Sequence, residues 1–292
     1  MFESFAGRIS ISSFALSRSL RRIGFIAGSR LISPYSIDAK GTVDDYCKKA
    51  AELGFSEICF TNHYEMPSVI DNSFDYALTE KEWLSYMKDI SDARKKYPFL
   101  KIGFGVEIGF MPGYEKEIND LINKYDFDFI LGGFHRYNGR LISDYSEYID
   151  CKDKEKLLEF YKGYLRFVAK GIMNGFCDCV AHIDIYTKFF PDVLATKLKK
   201  EIDLIIYSMK KTNTGFELNT KGKRFRNGQY HPSPGILRMF YKAGIKKITI
   251  GSDCHKPEDF DYEIKEALEL LKKEGFEHIC TFDKRKVKYI PI

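Results

Sequence analysis

The segment Ile248-Thr249-Ile250-Gly251-Ser252-Asp253-Cys254-His255-Lys256-Pro257 joins an apolar, β-branched run to a polar turn. The run predicts a buried strand. Asp253 and His255 are two positions apart, so on an extended chain they project to the same side. A carboxylate and an imidazole at a strand end can bind a metal ion or exchange protons. Considered alone, this segment is explained equally well by a solvated turn. The choice between a functional site and a turn therefore depends on the rest of the chain.

Strands and helices alternate from about residue 35 onward. We predict helices at 43–53, 80–96, 114–124, 153–174, 194–211, 232–243 and 257–273, and strands at 56–61, 100–108, 127–131, 178–183, 215–218, 246–250 and 278–282. This alternation predicts an α/β fold with a parallel sheet, in one closed or nearly closed TIM-like barrel. The alternative is an open doubly wound sheet, but no GxGxxG or P-loop follows any predicted strand.

Composition narrows the classes of protein. No apolar run approaches the ~20 residues of a membrane span, so we expect no membrane segment. Seven cysteines are scattered without a CxxC pair, which indicates a reducing compartment and a cytoplasmic location. The net charge of +5 comes largely from residues 1–33, which hold five arginines and one acidic residue. The remainder is nearly neutral, so we expect no nucleic-acid partner.

Residues 1–33 differ from the rest of the chain. They contain eight serines and five arginines but no lysine. This composition is typical of an organelle transit peptide, and an upstream extension or a frayed terminus would look similar. We therefore divide the chain into an atypical leader at 1–33, which can include a degenerate first strand, and one barrel domain at 34–292.

Four of the six histidines fall at or just past predicted strand ends, together with one glutamate and one aspartate. These residues are His63, Glu107, His135, His182, Asp253 and His255. In α/β barrels the active site lies at the carboxyl ends of the strands. Imidazole and carboxylate donors without a CxxC pair suit Zn²⁺, Mn²⁺ or Fe²⁺. The pattern predicts a metal site.

Six segments in this order resemble the PHP (polymerase and histidinol phosphatase) superfamily. They are Phe60-Thr-Asn-His-Tyr-Glu65, Gly105-Val-Glu-Ile-Gly-Phe-Met-Pro-Gly113, Gly132-Gly-Phe-His135, Ala181-His-Ile-Asp184, Glu217-Leu-Asn-Thr220 and Gly251-Ser-Asp-Cys-His-Lys-Pro257. Within the superfamily the chain is most similar to histidinol-phosphate phosphatases, over roughly residues 33–282. The resemblance implies a distorted (β/α)₇ barrel with two or three divalent metal ions.

The resemblance also implies which residues bind metal. Glu107, His135 and His182 would hold one ion, and Glu107 would bridge to a second ion that Asp253 also ligates. A third ion would be held by Asp38, His63 and His255.

The chain departs from the family at the end of its first strand, expected at 24–32. The family has a His-x-His pair there, and the matching positions are Arg30 and Ile32. Neither side chain offers a metal ligand at neutral pH. The leader is then non-homologous, or the protein is an impaired member, or it works with fewer metals and Arg30 replaces a cation.

The reaction that the resemblance implies is hydrolysis of L-histidinol phosphate, a small phosphorylated substrate. Glu107 and Asp253 would be catalytic through the ions, which make hydroxide available near neutral pH. Arg224 and Arg136 are candidates for binding the phosphate. Lys221, Lys223 and Arg226 also make the loop around Arg224 basic, although a charge run in a loop is usually only a solvated surface. The alternatives are a PHP-type phosphodiesterase acting on nucleotides and a catalytically weak pseudoenzyme. The sequence does not indicate whether the protein is a monomer or an oligomer.

Overall fold

The computed structural model describes residues 22–27 (backbone only), 40–65, 78, 80–142, 153–188, 195–225 and 228–292. Within these residues seven parallel strands form a closed barrel in sequential order. They are β1 (Arg22–Ala27), β2 (Phe55–Tyr64), β3 (Lys101–Gly109), β4 (Phe129–Gly133), β5 (Cys179–Val180), β6 (Gly215–Asn219) and β7 (Ile248–Gly251). A single register pair, Phe25 opposite Gly251, joins β1 to β7, so the barrel is closed but distorted.

An α-helix follows each barrel strand in the described part of the chain. These helices are α1 (Val43–Glu52), α2 (Glu80–Lys96), α3 (Glu115–Lys124), α4 (Lys154–Ile172), α5 (Lys199–Thr212), α6 (Pro234–Lys242) and α7 (Ile264–Lys273). The predicted α/β fold and (β/α)₇ barrel are confirmed. Asp153 caps α4 by accepting hydrogen bonds from the backbone N–H groups of Glu155 and Lys156.

The predicted strand at 178–183 and the predicted helix at 257–273 are both longer than the observed elements. The strand predicted at 178–183 is only Cys179–Val180, because the chain turns at His182 and enters a short 3₁₀ helix, Ile185–Lys188. The helix predicted at 257–273 begins at Ile264, after a 3₁₀ turn, because Glu263 adopts a left-handed φ of 57°.

The last predicted strand is β8 (His278–Asp283), which pairs antiparallel with β9 (Lys286–Pro291) outside the barrel. The alternation of predicted strands and helices did not predict β9.

Of the leader, only β1 is described, and it begins two residues before the predicted first strand. Asp38, Arg30 and Ile32 lie outside the described residues.

Aromatic and glycine residues set the spacing of β2 and β3, which carry part of the site. The Tyr86 hydroxyl of α2 donates to the backbone oxygens of Phe60, at 3.1 Å, and Gly105, at 3.3 Å. A Cβ at Gly105 would lie 2.8 Å from the Phe60 oxygen and 2.9 Å from the Phe129 oxygen. Only glycine therefore fits this position between two neighbouring strands.

A carboxylate fastens the C-terminal hairpin to the amino-terminal end of the barrel. The Asp178 carboxylate accepts a hydrogen bond from the Ile130 N–H at 2.9 Å, and lies 3.1 Å from the Arg285 Nε in the β8–β9 turn. The Arg285 guanidinium also donates to the backbone oxygen of Phe176.

The described part of the chain contains no helix that is both long and apolar enough to cross a bilayer.

Candidate metal centre

Glu107 lies at the centre of a cluster at the carboxyl ends of the strands. Its Oε1 is 3.0 Å from His135 Nε2 and 3.2 Å from His182 Nε2. Its Oε2 is 3.6 Å from His63 Nδ1. The Glu107 residue is only 2% exposed. Four consecutive strands, β2 to β5, deliver these four side chains to one point.

The donor atoms of this cluster are spaced as a metal ion requires. One ligand atom each from Glu107, His135 and His182 lie within 4.8 Å of one another, and the same holds for His63, Glu65 and His135. Two imidazoles and a carboxylate suit zinc and the other borderline divalent metals. A buried carboxylate surrounded by imidazoles therefore fits a divalent cation.

Glu65 is part of the cluster and was not among the predicted site residues. Its Oε1 lies 2.5 Å from His135 Nδ1, so the His135 ring is held between two carboxylates. A Cβ at Gly109 would overlap the Glu65 carboxylate, and glycine leaves the space it needs. The signal was present in the sequence, because Glu65 is two positions after His63 and therefore on the same side of the extended chain.

The electrostatics of the cluster show how the buried charge is balanced. Burial opposes ionisation of Glu107, but His63, His135 and His182 hold its pKa well below the usual value. Burial would lower the pKa of His135, yet Glu65 and Glu107 raise it to about 10. The cluster thus requires positive charge beside its carboxylates, which protons or a cation can supply.

A second buried carboxyl group lies beneath the cluster. Glu217 of β6 accepts hydrogen bonds from Asn219 Nδ2, at 3.0 Å, and from the His182 N–H, at 3.4 Å. Burial raises the pKa of Glu217 well above its usual value, and the nearby Glu107 and Asp253 carboxylates raise it further. Through these hydrogen bonds Glu217 supports the turn at His182.

Asp253 and His255 lie beside a lysine. Lys221 Nζ is 3.1 Å from Asp253 Oδ1 and 3.2 Å from His255 Nδ1. The Lys221 side chain is 29% exposed, and its ammonium faces both of these residues. An ammonium group carries no lone pair for a metal and repels a cation. A divalent ion bound by Asp253 would therefore compete with this ammonium for the carboxylate.

The two candidate phosphate-binding arginines are placed differently. Arg224 Nη1 lies 2.5 Å from Asp259 Oδ2, and the guanidinium stacks 4.0 Å from the centre of the Tyr262 ring. Arg136 directly follows His135 in a short hairpin and is half-buried. In this arrangement Arg224 is paired with a carboxylate.

The family model of the PHP domain matches residues 29–221, about two thirds of the chain. The chain belongs to the PHP domain family. The match spans β2 to β6 and so includes the Glu107 cluster.

Two bacterial proteins named as histidinol-phosphatases are similar to the chain along nearly its whole length. The chain is 26% identical over 267 residues to a probable histidinol-phosphatase of Deinococcus radiodurans, covering 90% of this chain and 98% of that protein. It is 26% identical over 263 residues to the histidinol-phosphatase of Lactococcus lactis, covering 87% and 93%.

A solved structure shares the fold. It is histidinol phosphate phosphatase from Lactococcus lactis, complexed with zinc, L-histidinol and phosphate. The two superpose with a TM-score of 0.78 at 23% identity, covering 92% of this chain and all of that chain.

Proposed function

We propose that this protein is a metal-dependent phosphate monoester hydrolase that converts L-histidinol phosphate to L-histidinol and phosphate in histidine biosynthesis. The observation that carries the proposal is the buried Glu107 carboxylate, with three imidazole nitrogens 3.0 to 3.6 Å from its oxygens. The substrate is inferred from the relatives, which are named as histidinol-phosphatases. The chain matches nearly their whole length.

Glu107, His135 and His182 would hold one divalent ion, and Asp38, His63 and His255 would hold a neighbouring one. The ligand set expected from the resemblance allows two or three ions, and Zn²⁺, Mn²⁺ and Fe²⁺ all suit these donors. Bound divalent ions lower the pKa of water and neutralise the charge on phosphoryl oxygens. The six described cysteines are free thiols, which supports a reducing location such as the cytoplasm.

Two residues near the proposed ions, Glu65 and Glu217, would position metal ligands and would not take part in the hydrolysis. Glu65 fixes the His135 ring through Nδ1, which leaves Nε2 directed at Glu107. Glu217 supports the His182 turn through the backbone N–H.

Asp253 and Glu107 are the proposed catalytic carboxylates. Arg136 and Arg224 are the proposed phosphate contacts, for which Arg224 must share its guanidinium with Asp259.

The test is phosphate release by the purified full-length chain supplied separately with Zn²⁺, Mn²⁺ and Fe²⁺. L-Histidinol phosphate is compared with a nucleotide phosphodiester under the same conditions. Metal-dependent release from L-histidinol phosphate supports the proposal. Preference for the diester would favour the phosphodiesterase alternative, and metal binding without turnover of either would favour the pseudoenzyme.

A further inference from the structure

The structure positions the Lys221 ammonium within the candidate site. Lys221 directly follows Thr220 at the end of β6, and its side chain is 29% exposed. Nζ lies 3.1 Å from Asp253 Oδ1 and within 3.2 to 3.5 Å of the two His255 ring nitrogens. The His255 Nδ1 is also 2.9 Å from the Asp253 backbone oxygen. The positive charge is thus held by two residues that were predicted to ligate metal.

The backbone beneath Lys221 is fixed on both sides. Its N–H donates to Asn219 Oδ1 at 3.0 Å, and the Asn219 amide lies 3.4 Å from Asp253 Oδ2. The Thr220 hydroxyl donates to the Tyr262 backbone oxygen at 2.7 Å. A Cβ on Gly222 would overlap the Gln229 backbone oxygen, so the loop is closely packed at its next residue as well. The loop is built to present Lys221 to Asp253.

The two sides of the site balance their charge in different ways. Among the described residues, the ion-pair partners of Glu107 are imidazoles, which can exchange a proton for a metal ion. Asp253 is only 8% exposed and has an ammonium as its partner. A buried carboxylate is costly without a compensating charge, and the Lys221 ammonium lies where it can supply that charge.

The family resemblance implies a matching loss of ligands. By that resemblance, the ion that Asp253 would bind is also the one whose two histidines are replaced by Arg30 and Ile32, which lie outside the described residues. We propose that the Lys221 ammonium takes the place of this divalent cation. The chain then binds metal only on the Glu107 side, and Lys221 contacts the phosphate group of the substrate. This inference rests on the proposed function for the identity of the substrate, but not for the number of ions.

Ion counting tests the first half of the inference. Four full-length proteins are compared: wild type, R30H/I32H, K221S, and the triple variant. Each is saturated with Mn²⁺, freed of excess ion by gel filtration, and measured by elemental analysis, with circular dichroism to check folding. We expect the triple variant to bind one more ion per chain than R30H/I32H, because histidine ligands are useful only once the ammonium is gone. Equal counts in these two variants would overturn the inference.

Phosphate binding tests the second half without relying on positions 30 and 32. Inorganic phosphate is titrated into the Mn²⁺-loaded wild type, Lys221→Met and the control Lys223→Met. A charge-assisted hydrogen bond lost from the site should weaken phosphate binding roughly tenfold or more in Lys221→Met. Lys223, whose ammonium lies over the Tyr230 ring, should have no effect. Unchanged phosphate binding in Lys221→Met would overturn the phosphate contact. Absence of histidinol phosphate turnover in wild type would instead contradict the proposed function alone.

Discussion

His63 and Glu107 are register partners on the neighbouring parallel strands β2 and β3, and His63 Nδ1 lies 3.6 Å from Glu107 Oε2. Strand register therefore builds this part of the site directly. A slip of either strand by one residue would turn its side chain, His63 or Glu107, to the opposite face of the sheet. The close approach at Gly105 helps to keep the two strands at the required spacing.

Glu107→Gln should remove metal binding on the Glu107 side and abolish metal-dependent hydrolysis. The amide keeps the size of the side chain but loses the charge that balances the three imidazoles. We expect a loss of metal affinity larger than the roughly 10- to 100-fold seen for outer hydrogen-bond partners. Elemental analysis and phosphate release measure both effects. Glu117→Gln, on the exposed face of α3, is the matched control. Full metal content in Glu107→Gln would refute the central role of Glu107.

Glu65→Gln tests the residue that holds the His135 ring. Because the carboxylate accepts a hydrogen bond from Nδ1, its loss should lower metal affinity by about 10- to 100-fold with the fold retained. Competition with a chromophoric chelator measures the affinity. An affinity equal to that of wild type would show that His135 keeps its orientation without Glu65.

Tyr86→Phe should destabilise the barrel by about 1 kcal/mol. The hydroxyl donates to two strand backbone oxygens, Phe60 and Gly105, and their partner would be lost in a buried setting. Chemical denaturation gives the free energy of unfolding. Tyr289→Phe is the control, since Tyr289 is half-exposed on β9, and its effect should stay within about 0.5 kcal/mol. Equal stability of the two variants would contradict this account of the α2 contact.

Arg285→Ala should destabilise the protein by about 1–3 kcal/mol near neutral pH. This is less than for a fully buried pair, because a third of the Arg285 side chain is exposed. Burial raises the pKa of Asp178, and Arg285 opposes that rise. A carboxyl whose pKa is raised on folding contributes stability at acidic pH and loses that contribution as the pH rises through the folded pKa.

Without Arg285 the pKa of Asp178 should rise further, so the defect should shrink as the pH falls through the raised pKa of Asp178. Unfolding free energies at neutral and mildly acidic pH measure this difference. Arg285→Lys keeps the charge and should be less destabilised than Arg285→Ala. A defect of the same size at both pH values would show that Asp178 ionisation is not involved.

The sequence predicted the parts of the site that depend on one strand at a time. Apolar runs such as Ile248-Thr249-Ile250 identify buried strands, and the polar residue after each run must then lie at the same end of a parallel barrel. Glu107, His63, His135 and His182 were found in this way, and the structure brings them together. Alternation likewise predicted the barrel.

The parts that were missed depend on contacts between loops. Lys221 reaches Asp253 only because its turn is pinned by Asn219 and Thr220, and a basic run in a sequence carries no sign of such pinning. Arg224 pairs with Asp259, thirty-five residues further along the chain. The early end of β5 follows from the turn at His182, where the buried Asp184 binds the Ser233 N–H and His231.

The most direct test of the central claim is the rate of phosphate release from L-histidinol phosphate by the purified chain, with and without divalent metal, beside Glu107→Gln. Turnover that requires metal, is lost on chelation, and is absent in Glu107→Gln is the predicted result. A chain that binds divalent ions at Glu107 and releases no phosphate from L-histidinol phosphate would contradict the proposed function.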